Sequence, residues 1–341
     1  MTLPRIDKQR YVSPELARLE WERVWKRSWL LAAHVSGLRE AGDVVRFDVG
    51  PESILVVRGA PGDAGVRSFF NVCQHRGTRL VDADAAHVRS LRCPYHHWEW
   101  SLDGALRNVP RAETFLCGAP AGELRLRDVR SELRHGFVWV ALAEPVEEID
   151  RWLEPIAPEL ERLAAASLSL VRATTVDVEC NWKTSVDVHS EGYHLATLHP
   201  ELAGAVDFAG VVLEPRDRHG LSRVPLRSGG EKRTIHVFPN VELNSSAEGL
   251  ELYRHRPDAR DVERMVFEEL VLAPRAVLPP ERRRGRVGEV DLGPVLGADV
   301  ELLARIQRGM HSEGFSGAYL SSEESLVENF HRALDAMMAG P

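Results

Sequence analysis

The chain has 341 residues, 44% of them hydrophobic, which is long enough for two domains with a core in each. Its 43 basic and 51 acidic residues leave a net charge of -8, so no overall positive field draws in phosphate backbones and nucleic acid is not an expected partner. Residues 1–7 hold no apolar run of signal-peptide length and no stretch approaches the roughly 18 uncharged residues of a membrane span, which predicts a cytoplasmic protein without a membrane partner.

In chain order, the first predicted element is an amphipathic helix over 14–30, with Leu16, Trp21, Trp25 and Trp29 at near-helical spacing between charges. From 43 to 140 the pattern changes to short β-rich runs (44–47, 53–57, 68–72, 136–140) separated by glycine and proline turns, the mark of a small all-β module. Residues 145–160, rich in proline and acid, read as its exit. Strands are then expected at 174–177 and 236–243 and helices at 299–311 and 322–338, so the second domain mixes sheet with helix. The expected division is 1–37 as an N-terminal helical segment packing on the second domain, 38–148 as the β module and 149–341 as the second domain. The basic run 281–286 reads as a solvated loop, with a docking patch for an acidic redox partner as the alternative.

Within the β module, Cys73-Gln74-His75 and Cys93-Pro94-Tyr95-His96 stand seventeen residues apart. Two thiolates and two imidazoles from mixed pairs suit a two-iron cluster in which one iron carries sulfur and the other nitrogen, an exchange that raises the potential above that of an all-cysteine cluster. Zinc fingers generally keep cysteines in one pair and histidines in the other, so zinc is the weaker reading. The other cysteines of the four, Cys117 and Cys180, are expected to be buried structural thiols in a reducing compartment.

The segments Asn71-Val-Cys-Gln-His-Arg-Gly77 and Cys93-Pro-Tyr-His-His-Trp98 resemble the Rieske domain of ring-hydroxylating oxygenase α subunits. Two positions depart from that pattern: Gln74 replaces a frequent proline, and His97 stands where glycine is usual, a substitution that bears on the loop backbone and the cluster potential. The two-residue gap after Cys93 matches that family's pattern only with His96, so the resemblance implies His96 as the ligand and His97 as a bystander.

A second site is expected in 181–200. If this segment is helical, Asp187, Glu191 and His194 share one face, while His199 lies about 140° round from His194. Pro200 disfavours a helical His199, so the helix must loosen near Leu198, letting two histidines converge on one ion from different directions. Such a facial set with open positions suits non-haem iron(II), and the zinc-protease pattern of histidines at i and i+4 is absent. A third, carboxylate ligand is expected far along the chain. Asp299 is the candidate, because it shares a helical stripe with Leu302, Leu303, Ile306 and Met310, where an unpaired carboxylate is costly. The alternatives are a helix N-cap role for Asp299, and Glu289, Asp291 or Glu301 as ligand.

The segment 181–200, and Asp299 followed by Gln307-Arg-Gly, resemble the mononuclear-iron motif of the same oxygenase family, so the likeness spans about residues 10 to 340. The glutamate three positions before the first histidine is similar to choline- and carnitine-type monooxygenases, whereas Val188 and His189 depart from an asparagine and an aromatic common there. The resemblance implies an α+β chain: an all-β Rieske [2Fe-2S] domain and a helix-grip catalytic domain, an antiparallel sheet around a long helix. It implies one cluster on Cys73, His75, Cys93 and His96 and one Fe(II) on His194, His199 and Asp299 in each chain. It further implies a homotrimer in which each cluster feeds the iron of its neighbour through Glu191, or else Asp187, since a ligating imidazole needs an acceptor for its second N–H.

No Gly-x-Gly-x-x-Gly fingerprint follows a strand, so NAD(P)H electrons are expected through a separate reductase, with or without a ferredoxin between. The expected function is a terminal oxygenase that inserts one or both atoms of O2 into a small aromatic or hydrophobic substrate; the alternatives are oxidative N- or O-demethylation, and a Rieske electron carrier without oxygenase activity. Leu195, Phe208, Val211, Val212, Leu213, Phe238 and Leu243 are the expected apolar lining of the substrate pocket.

Overall fold

The computed structural model describes residues 5–340 apart from 61–64, 121–123, 145, 247 and 276–278. Two compact units emerge, Trp29–Val146 and a second built from Met1–Ser28 with Glu147–Pro341.

Among the described residues the β-branched and aromatic runs of the first unit form ten strands. These are β1 (Leu30–His34), β2 (Asp43–Val49), β3 (Glu52–Arg58), β4 (Val66–Phe70), β5 (Ala85–His87), β6 (Leu91–Arg92), β7 (Glu99–Trp100), β8 (Leu106–Asn108), β9 (Asp128–Arg134) and β10 (Phe137–Ala141). Seven pair in the order β1-β10-β9-β4-β3-β2-β5, and a smaller sheet joins β6, β7 and β8. β2 turns directly into β3 because Gly50 takes φ +50°, a conformation that costs glycine little. Leu55, Val57, Phe69, Leu91, Trp98 and Trp100 form a core that also contains Cys73 and Cys93. The expected helix over 14–30 is shorter than its periodicity suggested: it ends at Arg23, and the apolar run Leu30–His34, buried along its whole length, forms β1 instead.

In the second unit, α1 (Pro14–Arg23) begins at Ser13, whose hydroxyl accepts from the Leu16 N–H at 3.3 Å. Eight strands follow in the sheet, β11 (Ser169–Val178), β12 (Val212–Arg216), β13 (His219–Pro225), β14 (Glu231–Val237), β15 (Val241–Ser246), β16 (Gly249–Pro257), β17 (Met265–Ala273) and β18 (Glu281–Arg286). Their order is β12-β13-β14-β15-β16-β17-β11-β18, antiparallel except at the β11–β18 edge. The helices α2 (Trp182–His189), α3 (Pro294–Met310) and α4 (Ser325–Ala339) belong to the same unit, together with shorter helices such as Ile149–Leu153 and Ala157–Leu163 and a separate pairing of Arg5–Asp7 with Gly317–Tyr319.

Three expectations are corrected here. Residues 236–243 are not one strand but a hairpin, broken at Phe238–Asn240, that sets His236 opposite Glu242. The basic run is not a loop: as edge strand β18 it alternates exposed and half-buried positions, and arginines there keep a sheet edge soluble. Cys117 is exposed rather than buried, whereas Cys180 is buried and its thiol is pushed far up by desolvation. Among the described residues no helix is long and apolar enough to cross a membrane.

Candidate metal centres

Two loops of like design present the four cluster residues. In the first, after β4, the Gly77 N–H donates to the Cys73 carbonyl at 3.0 Å; in the second, between β6 and β7, the His97 N–H donates to the Cys93 carbonyl at 3.0 Å. Each turn closes on a left-handed residue, Gly77 at φ +77° and His97 at φ +56°. His97 therefore adopts the backbone that glycine would, and its side chain is carried outside the His75–His96 pair.

The two cysteines are 2% exposed, and the His75 and His96 rings approach to 4.7 Å between centroids. Trp98 stacks on His75 at 4.6 Å with an interplanar angle of 5°, which fixes that ring. Among the described residues both Nδ1 atoms are buried without a hydrogen-bond partner. Two buried thiols and two buried, partnerless imidazole nitrogens on the same pair of loops form a donor set that a metal cluster completes. Burial raises the Cys73 thiol and lowers the His75 imidazole, so cluster binding must release thiol protons.

The second group assembles from three places in the chain. α2 ends at His189, and the Glu191 carboxylate then accepts from the amides of Tyr193 and, at 3.2 Å, His194. These local bonds compete with helix continuation and turn the chain. A single turn, Leu195–Leu198, leads to His199, which leaves helical geometry at φ -120° just before Pro200. Asp299 lies in the interior of α3, five residues beyond its first residue, Pro294, so the N-cap alternative is excluded: the cap is Gly293.

Asp299 Oδ1 stands 2.8 Å from His199 Nε2 and 3.5 Å from His194 Nε2, and one ligand atom from each residue lies within 4.8 Å of the others. His199 is fully buried and Asp299 is 7% exposed. Two imidazole nitrogens and a carboxylate oxygen on one side of a point match the donor set of non-haem iron(II). Glu191 Oε1 receives the His194 Nδ1 proton at 2.5 Å, which orients Nε2 toward Asp299. Burial alone would lower the His194 imidazole, but the bond to Glu191 and the charges of Glu191 and Asp299 raise it on balance.

Asp187 is not on a common helical face with Glu191 and His194, because the helix stops between them. It accepts instead from the Tyr11 hydroxyl at 2.5 Å and lies 3.0 Å from His331 Nε2. Burial and Asp187 together push the Tyr11 phenol well up. Neither Tyr11 nor His331 was singled out by the sequence, which offers no local signal for residues 320 positions apart. The other carboxylates stand apart as well: Glu289 accepts from the Arg286 amide, Asp291 caps Gly293 and Glu301 is exposed.

The expected apolar lining is only partly found. Phe238 and Leu243 are core residues, 3% and 0% exposed, and Val212 faces solvent. The side of β14–β16 that meets α2 is polar instead, carrying His236, Glu242 and His255. Glu242 was missed because its side of the sheet follows from register, which a single-strand reading of 236–243 hides.

The family model for the ring hydroxylating alpha subunit (catalytic domain) matches residues 165–340, and that for the Rieske [2Fe-2S] domain matches residues 28–127. The chain belongs to the ring-hydroxylating α subunit family. Among its relatives, the glycine betaine monooxygenase oxygenase subunit of Pseudomonas aeruginosa is 29% identical over 212 residues, covering 60% of this chain and 47% of that protein. The benzene 1,2-dioxygenase subunit alpha of Pseudomonas putida is 33% identical over 199 residues, covering 57% and 44%. The chain thus spans about half the length of the curated relatives it matches. A crystal structure of a quaternary ammonium Rieske monooxygenase with an inhibitor superposes with a TM-score of 0.86 at 22% identity, covering 98% of this chain and 96% of that one. That likeness establishes the fold.

Proposed function

We propose that the chain is a terminal oxygenase component that inserts oxygen from O2 into a small organic substrate. Cys73, His75, Cys93 and His96 would hold a [2Fe-2S] cluster, and His194, His199 and Asp299 a single iron(II). When bound, the cluster supplies one electron at a time and the iron activates dioxygen. The protein's own part is positional. Glu191 holds the Nδ1 proton of His194 and so keeps Nε2 unprotonated toward the ion. The length of α3 fixes Asp299, and the complete burial of His199 excludes water from that side. Electrons would come from NAD(P)H through a separate reductase, with or without a ferredoxin, to a homotrimer in the cytosol, where the free, exposed thiol of Cys117 stays reduced.

The observation that carries the reading is the convergence of His194, His199 and Asp299 beside Glu191 in a chain that also has the four cluster residues. Iron analysis of the anaerobically reconstituted protein tests it: three irons per chain are expected, and two would indicate an electron carrier. Labelled O2 with a surrogate reductase should then place label in a product. Oxidative demethylation is the second reading, favoured by the glycine betaine monooxygenase among the relatives. Formaldehyde released in step with oxygen uptake would select it over ring hydroxylation.

A further inference from the structure

Against the side of the sheet that meets α2 lies a narrow, partly open cavity whose largely apolar lining is interrupted by the polar side chains of Ser190, His236, Glu242, His255 and Arg218 among others. It begins one residue before Glu191, at the end of α2. Register puts His236 and Glu242 side by side on adjacent strands, while His255 is held by a 2.8 Å bond between its Nδ1 and the Ser185 hydroxyl of α2. Glu242 is 3% exposed and His255 fully buried.

Among the described residues neither Glu242 Oε1 nor His255 Nε2 has a hydrogen-bond partner. Oε1 stands 3.7 Å from His255 Nε2 and 3.7 Å from His236 Nδ1, too far for direct bonds. A buried carboxylate oxygen without a donor is costly, and more so beside a second unsatisfied atom. Close by, the Tyr253 phenol is pushed well up by burial and then by Glu251, Glu269 and Glu242. Arg218, the one arginine or lysine lining the cavity among the described residues, is already tied to Glu147 at 3.0 Å and Asp217 at 3.1 Å and lies over the Trp152 ring. The cavity volume is about 20 Å³, room for a group the size of one water.

We infer that this cavity takes the ammonium head of a small amine substrate, with Glu242 as its counter-ion and the His236 and His255 ring nitrogens beside it. An ammonium group is water-sized and brings N–H donors to the unsatisfied atoms, whereas a trimethylammonium group is larger and brings none. The inference rests on the oxygenase reading only in calling the bound amine a substrate; the binding itself does not need it.

The experiment is equilibrium binding of benzylamine, benzyl alcohol and benzyltrimethylammonium to the reconstituted holoenzyme near neutral pH. Benzylamine should bind about tenfold or more tightly than either comparator, as a charge-assisted bond to a buried carboxylate requires. Glu242→Gln should bring the three within about twofold of one another while iron content stays at the wild-type value, and Glu242→Asp should keep part of the preference. Absence of benzylamine binding, equal or tighter binding of a comparator, or a preference that survives Glu242→Gln would overturn the inference. The oxygenase reading fails on separate readouts, iron content and labelled-oxygen incorporation, so amine binding by a preparation that incorporates no oxygen would leave the site standing and remove only the word substrate.

Discussion

Two left-handed residues show how closely the cluster loops are matched. Nothing lies within 4 Å of where a Gly77 Cβ would be, so the demand for glycine there comes from its φ of +77° and not from crowding. His97 meets the same backbone demand at φ +56° with a side chain. Gly77→Ala should therefore lower the stability of the holoprotein by about 1 kcal/mol, and His97→Gly should raise it by a similar or smaller amount, since glycine also gains unfolded-state entropy. Thermal denaturation with the cluster intact reads both; a stabilised Gly77→Ala variant would contradict the account. At this scale the sequence was most legible where chemistry fixes spacing, as in Cys73-x-His75 and Cys93-x-x-His96. It was least legible for Tyr11, His331 and Glu242, whose partners are set by tertiary packing and strand register.

Elements were legible where one face is apolar throughout and illegible where a polar side chain redirects the backbone. Glu191 illustrates the second case: periodicity alone continues α2 through His194, whereas the glutamate's bonds to the next amides stop it. Glu20, 2% exposed on α1, departs from the pattern without turning the backbone. It meets Lys183 of α2 at 2.8 Å and accepts from the Trp182 indole at 3.3 Å, so this helix carries a buried ion pair where periodicity promised an apolar stripe. Burial lowers the Lys183 ammonium and Glu20 opposes it. Lys183→Met should cost about 3–5 kcal/mol by leaving the carboxylate unpaired, and adding Glu20→Leu should recover most of it. Chemical denaturation of the two variants measures this, and a double variant worse than the single would refute it.

His219 joins other elements. Its Nε2–H donates to the Trp152 carbonyl at 2.8 Å and its Nδ1 accepts from the Phe238 amide at 3.1 Å, so both nitrogens are used by the neutral ring. Desolvation, foremost, lowers its pKa from 6.5 to about 4. A depressed histidine contributes full stability above its unfolded pKa, and the contribution fades as pH falls from 6.5 toward 4. The loss attributable to this residue should reach about 3 kcal/mol. His219→Gln, which does not titrate, should narrow the difference in denaturation midpoint between pH 7.5 and 4.5; an unchanged difference would mean that His219 is not the group responsible.

At the scale of the whole molecule, the motifs place the residues for two kinds of centre in one chain, while the number of cooperating chains is implied only by the family resemblance. The proposed trimer makes each chain's cluster serve a neighbour's iron, and that has a measurable consequence. A Cys93→Ser chain should keep the mononuclear site and lose the cluster; a His199→Ala chain should do the reverse. Each alone should be inactive. Refolded or co-expressed together in equal amounts, random closed trimers would pair an intact cluster with an intact neighbouring iron at about a quarter of the positions, so about a quarter of wild-type activity should return. Transfer confined within one chain would restore none, because no chain in the mixture holds both centres. After purification of the mixed oligomer by two distinct affinity tags, which removes trimers of one kind, one position in three is productive, so about a third of wild-type activity per trimer is expected, and iron content measured alongside separates these outcomes from incomplete metal loading.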